Sequence, residues 1–135
     1  MIMNAKVREE LISVTDLVLS AIRSESEENI SHLNVKKMKR LMEEYYKEIT
    51  LEEIGRKLNV TPEYLGTLFH KEVGVSFSNY IKKCRVNKAK ELLCGTDLKL
   101  YQIAEQVGYM DAKYFSKVFK DITGQLPTEY RKIHK

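Results

Sequence analysis

Tryptophan is absent, and only two cysteines, two prolines and six glycines occur in 135 residues. Each scarcity excludes something. Cys84 and Cys94 are too few for a disulfide framework or a four-ligand zinc site, and neither belongs to a Cys-x-x-Cys pair, so the expected compartment is a reducing cytoplasm. Ten residues apart on one predicted helix, they lie about 15 Å from each other, beyond disulfide reach. Few glycines and prolines, with 43% hydrophobic and 31% charged residues, exclude fibrous and disordered classes and point to one globular domain with a short appendage. No apolar run approaches the roughly 18 residues of a membrane span. The most apolar early stretch, Leu11 to Ile22, is interrupted by Asp16 and preceded by Glu9 and Glu10, so neither a membrane helix nor a secretory signal is expected.

Catalytic patterns are missing as well. His32, His70 and His134 are scattered, no Gly-x-Ser-x-Gly elbow or phosphate loop is present, and Glu43-Glu44 falls on solvent-facing helix positions. The expectation is no enzyme, no metal and no cofactor.

What is present is a basic excess with a location. Residues 1–48 carry 8 basic and 9 acidic side chains, whereas 49–135 carry 15 and 10, so the net charge of +4 belongs to the C-terminal two-thirds. Helical periodicity dominates, with no strand-length alternation. Val7, Leu11, Val14, Val18 and Ile22 form a first stripe; Ser24 to Leu33 is polar, acidic and aperiodic, as a linker or exposed loop would be. Asn34 is placed to cap the next helix, with Val35, Met38, Met42, Tyr45 and Ile49 on its apolar face. Further on, Thr50-Leu-Glu-Glu53 reads as a capping box before a helix to Leu58, Thr61-Pro62 starts another, and Gly74 ends it. Ser76 or Ser78 caps a longer helix through Leu93, and Gly95-Thr-Asp97 is the next turn.

The most informative feature is an internal repeat. Leu51 to Val60 matches Leu100 to Tyr109 at an offset of 49, and after a one-residue insertion the offset becomes 50: Tyr64-Leu65 aligns with Tyr114-Phe115, Phe69 with Phe119, Gly74 with Gly124, Phe77 with Pro127 and Tyr80 with Tyr130. Each copy meets the needs of a helix-turn-helix: a small residue where two helices cross (Gly55, Ala104), and a residue tolerant of positive φ four positions on (Asn59, Gly108). The first motif spans 50–73 and the second 99–123. In the second helix of each, Leu65, Leu68, Phe69 and Glu72, or Phe115, Val118, Phe119 and Ile122, share the inner face, with burial expected for all but Glu72. The outer faces then carry Glu63, Gly66, Thr67 and His70 in copy one, and Lys113, Ser116, Lys117 and Lys120 in copy two. Short polar or cationic side chains on such a face suit base edges and phosphates of the major groove.

Tyr64 and Tyr114 border these faces and stay open between packing and phosphate contact, whereas Tyr80 and Tyr130, at equivalent positions, are expected to pack. The lysines add long-range attraction and phosphate contact in copy two; copy one is left its helix N-terminus, Tyr64, Lys71 and shape. Lys82, Lys83, Lys88 and Lys90 form a solvated face on the connecting helix. A helical protein-interaction module is the alternative from another class, and a steep salt dependence of binding discriminates the two.

The second copy also resembles the AraC/XylS transcriptional regulators: Ile103-Ala-x3-Gly108-Tyr-x-Asp111-x-x-Tyr-Phe-Ser-Lys-Val-Phe-Lys120, then Gly124-x-x-Pro-Thr-Glu-Tyr-Arg131. Arg85, Ala89, Leu92 and Leu93 resemble that family's Arg-x3-Ala-x2-Leu-Leu pattern. The resemblance covers roughly Val35 to Lys132. It implies an all-α bundle of about seven helices, two helix-turn-helix motifs joined by a long helix, and sequence-specific binding of double-stranded DNA by adjacent recognition helices in a bacterial cytoplasm. Gly66-Thr67 stands where such proteins often carry a Ser-Arg or Gln-Arg pair, so the usual arginine contact to a base is missing from the first motif. The N-terminal stripe resembles the linker helix before the output domain of certain two-component response regulators. Residues 1–33 are too short for a sensing domain, which leaves a fragment of such a protein or a small stand-alone member. The expected organisation is therefore 1–33 as a linker or self-association helix with an acidic loop, and 34–135 as the DNA-binding domain. RNA polymerase and a second copy of the chain are the further candidate partners.

Overall fold

A computed structural model describes residues 29–135, which divide into a unit ending at Lys36 and a unit running from Lys37 to Lys135. The stripe from Val7 to Ile22 lies outside the described residues. Every regular element among those described is a helix: α1 (described over 29–44), α2 (Leu51–Leu58), α3 (Pro62–Val73), α4 (Phe77–Gly95), α5 (Leu100–Gln106), α6 (Ala112–Thr123) and α7 (Pro127–His134). The architecture is all-α, with α2–α3 and α5–α6 as the paired motifs and α4 between them.

Local chemistry sets most boundaries. Thr50 Oγ1 accepts from the Glu53 N–H at 3.2 Å, Thr61 Oγ1 from Tyr64 N–H at 3.2 Å and Ser76 Oγ from Asn79 N–H at 3.1 Å, each satisfying an orphan donor of a first turn. At α5 the reciprocal half of a capping box forms, with Lys99 N–H donating to Gln102 Oε1 at 2.8 Å. Asn59 takes φ 62° and ends α2 in the left-handed region, and Gly74 and Gly124 end α3 and α6 the same way.

The N-terminal expectation needs correcting. Residues 29–33 are helical rather than a loop, and Asn34 lies buried inside α1 instead of capping it. No glycine or proline falls between Asn29 and Ile54, so nothing breaks the helix at Asn34, and each residue from 29 on gains a hydrogen bond at a propensity cost of only tenths of a kcal/mol. Val35, Met38, Met42 and Ile49 are buried as expected, but Tyr45 is not. It lies past the last α1 residue, in a turn held by Tyr45 N–H to Leu41 O (2.8 Å), and is half exposed; Tyr46 packs against the core instead.

Long α4 is the spine, packed by α3, α5, α6 and α7. Val86, Ala89 and Leu93 join Ile103, Ala104, Val107, Tyr109, Phe115, Val118 and Phe119 in one cluster. The repeat is visible in aromatic geometry: Phe69 meets Tyr80 edge-on at 5.2 Å and 78°, and Phe119 meets Tyr130 at 5.5 Å and 78°. Each pair is worth about 0.5–1.5 kcal/mol beyond its burial. Ile122 departs from its expected burial and is 37% exposed, at the margin of a groove shared with Val75, Asn79 and Lys83. It sits one turn beyond Val118, where the end of α6 has run past the core.

Two half-exposed groups on the α1–α4 side titrate late. Burial and the Glu43 carboxylate, which accepts from the Tyr80 hydroxyl at 3.0 Å, push Tyr80 up to about 12; burial and Glu43 push the Cys84 thiol up to about 11. Both groups are favoured neutral in the fold, so their contribution is intact below the unfolded values and is lost as pH rises. Stability in urea is expected to fall between about pH 9 and 11, and Cys84→Ala to flatten that decline; an unaltered slope contradicts the assignment.

Gly108, at φ 105°, is the tightest point of the second turn: a Cβ there would stand 2.6 Å from Lys47 O. A Cβ on Gly74, at φ 87°, meets nothing within 4 Å. Gly74→Ala is expected to cost about 1–2 kcal/mol from backbone strain alone, and Gly108→Ala more than about 3 kcal/mol because overpacking adds to it. Equal losses in urea unfolding would refute the close approach.

Candidate nucleic-acid interface

Position for position, residues 61–70 and 111–120 alternate between buried and exposed in the same order. Leu65, Leu68 and Phe69, and their counterparts Phe115, Val118 and Phe119, face inward. Helical geometry turns Glu63, Thr67 and His70 outward together on α3, and Lys113, Lys117 and Lys120 together on α6, and all six are exposed. Lys71 is exposed beside His70. Gly66 and Ser116 are half-buried within their faces. Tyr64 and Tyr114 are each 46% exposed, and Tyr114 rests edge-on against Tyr109 at 5.7 Å, so it is part packing and part surface.

The two helices begin with different caps. Thr61 is neutral, whereas Asp111 Oδ1 accepts from Lys113 N–H at 2.9 Å and puts a carboxylate at the start of α6. The six outer residues thus carry one carboxylate and one imidazole in copy one against three ammonium groups in copy two. Helices α3 and α6 are each seated on α4.

Small residues at the crossings behave differently from one another. A Cβ on Gly55 would stand 2.7 Å from Val60 O, so glycine is required there by its own turn. Ala104 keeps its methyl, buried, before a turn that has one more residue. That extra residue is Met110, whose side chain is fully exposed at the entry to α6. Its signal in the sequence is the change of offset from 49 to 50, which marks where the copies differ but not that the inserted side chain projects into solvent.

A family model described as a helix-turn-helix domain matches residues 54–133. The chain belongs to the AraC-type helix-turn-helix family. The family is one of sequence-specific DNA-binding regulators of transcription, and this chain carries its DNA-binding domain. The uncharacterized HTH-type transcriptional regulator YtdP of Bacillus subtilis is 41% identical over 88 residues, 65% of this chain and 11% of that protein. The C-terminal domain of AraT, a response regulator from Geobacillus stearothermophilus, superposes with a TM-score of 0.70 at 37% identity, over 74% of this chain and 84% of that one. The C-terminal domain of the two-component response regulator yesN from Fusobacterium nucleatum gives 0.66 at 39% identity, over 71% and 95%. The chain spans 11 to 33% of the length of the first curated relatives it matches. Among the described residues no helix is long and apolar enough to cross a membrane, and no group of His, Cys, Asp and Glu is placed to hold a metal.

Gly66 allows a specific test of the first face. A Cβ there would touch only Leu51 Cδ1, at an ordinary 3.5 Å. Gly66→Ala is expected to raise stability by about 0.5–1 kcal/mol, the usual gain for removing a mid-helix glycine. Lost stability on thermal unfolding would contradict the open space.

Proposed function

We propose that α3 and α6 are the two recognition helices of this domain, entering adjacent major-groove segments of one double-stranded DNA site. The contacting residues are Glu63, Tyr64, Gly66, Thr67, His70 and Lys71 from the first motif, and Lys113, Tyr114, Ser116, Lys117 and Lys120 from the second. The observation that carries this reading is the exposed lysine triad of α6, at the very helical positions that α3 fills with Glu63, Thr67 and His70. Lysine binds phosphate as a point charge and donates to guanine O6 or N7; Glu63 repels phosphate and accepts from a cytosine amino group. The second motif therefore supplies most of the electrostatic affinity. The first works through the α3 N-terminus, Tyr64, Lys71 and shape, with Glu63 discriminating against wrong sequences. Both faces meet one duplex about one helical turn, ~34 Å, apart.

In this reading the domain acts in a bacterial cytoplasm as the output end of a longer regulator, of the kind its two response-regulator relatives represent. RNA polymerase and a second copy, through residues 1–33, are its further partners. Residues 1–28 of that segment lie outside the described residues.

On a DNA site selected from a random pool by the protein itself, Lys117→Ala is expected to cost roughly 1–3 kcal/mol and to relax discrimination at one base pair. Thr67→Ala should cost less. Binding should weaken with salt at a log-log slope of about −0.9 per phosphate contacted. A larger loss for Thr67→Ala than for Lys117→Ala overturns the assignment of the second motif as the main anchor, and a flat salt response points to a protein partner instead.

A further inference from the structure

The turns of the two motifs are held in unlike ways. Asn59 of the first is exposed, and the surface around it, with Arg56, Val60 and Thr61, is an open pocket. Gly108 and Tyr109 of the second are pressed onto the segment that follows α1. Lys47 O stands where a Cβ of Gly108 would collide, and the Arg85 guanidinium lies 3.2 Å from the same point. From α4, Arg85 Nε donates to Tyr46 O at 2.8 Å and Nη2 to Lys47 O at 3.0 Å, while its guanidinium covers the Tyr109 ring with Cζ 5.1 Å from the centroid. Tyr109 in turn touches Tyr114 at 5.7 Å and Phe115 at 5.8 Å, both in the first turn of α6.

Two charge-assisted bonds to carbonyls that no helix satisfies, and one stacked aromatic ring, thus join three segments far apart in sequence. We propose that Arg85 is a positioning residue for DNA reading by α6: it clamps the Gly108–Tyr109 turn, and with it the start of α6, to the residues that follow α1. The inference rests on the reading of α6 as a recognition helix. It also separates the two motifs, because the bonds of Arg85 go to Tyr46 and Lys47 and its ring contact to Tyr109, so that the lysines of α6 are aimed by the chain that precedes the first motif. An arginine is needed because one planar group must donate twice along one edge while its charge stands over a ring; lysine keeps the charge but not the fork.

The two turns contain matched amides, which gives an internal control: Val60 N–H donates to Gly55 O at 3.0 Å and Tyr109 N–H to Ala104 O at 2.8 Å. Hydrogen exchange of the free chain should show Tyr109 accelerated about tenfold by Arg85→Met while Val60 is unchanged, with Arg85→Lys intermediate. On DNA selected by the unaltered protein, Arg85→Met should bind about tenfold more weakly, with base-removal interference lost only in the segment read by α6. Equal acceleration of both amides, no acceleration of either, or an even loss across both DNA segments would overturn the proposal. Should Arg85→Met fail to fold, Arg85→Lys carries the same comparison, with selective acceleration supporting the clamp and equal acceleration refuting it. If the unaltered protein selects no DNA, the recognition-helix reading fails, while the exchange comparison still decides whether Arg85 holds the second turn.

Discussion

One helix with apolar residues on more than one side governs this domain. Ile81, Val86, Ala89 and Leu93 are buried along α4, and Cys84 and Leu92 are half-buried between them. A single apolar stripe would let α4 serve one neighbour; residues on several faces oblige it to be covered by α3 at one end and by α5, α6 and α7 along the rest. The two motifs consequently never need to recognise each other. Each is seated on α4.

Helix ends impose a second demand. Carbonyls in the turn after α1 and at the end of α4 have no helical partner, and arginines from distant parts of the chain supply the missing donors. Arg85 serves Tyr46 and Lys47; Arg131 serves Leu93 O at 3.0 Å and Thr96 O at 3.2 Å, with Lys135 reaching Thr96 O and the exposed Asp97 carboxylate. Cations at helix C-termini also complement the peptide dipoles. These contacts tie the turn after α1 to the second motif and α7 to the end of α4, which apolar packing alone would leave free to slide.

Much of this was legible from residue order. Thr61-Pro62, Asn59, Gly74 and Gly124 act locally, and local rules place them correctly. The inner faces of α3 and α6 follow from a period of 3.6, and the paired aromatics Phe69–Tyr80 and Phe119–Tyr130 from the repeat. Other features depend on distant atoms and could not be read that way. The burial of Tyr46 rather than Tyr45 depends on where α1 stops, and the exposure of Ile122 on where the core stops. Asn34, a fitting cap by type, sits inside a helix because nothing before it breaks the chain. Arg85 fits a family pattern, yet its partners lie 38 and 39 residues away and are backbone oxygens, which no side-chain pattern encodes. The outer residues of α3 and α6 emerge on common faces as helical spacing requires.

The identical alternation of burial in residues 61–70 and 111–120 has a consequence for change over generations. Inward positions are interchangeable in kind between the copies, Leu65 with Phe115 or Leu68 with Val118, because both sets must fill a core. Outward positions share almost nothing: Glu63 against Lys113, Thr67 against Lys117, His70 against Lys120. Substitutions on an exposed helical face away from caps usually shift stability by no more than about 0.5 kcal/mol. Heritable variation can therefore rewrite what one copy presents while leaving the other copy and the scaffold untouched, and the inherited doubling becomes two separately editable words in one frame.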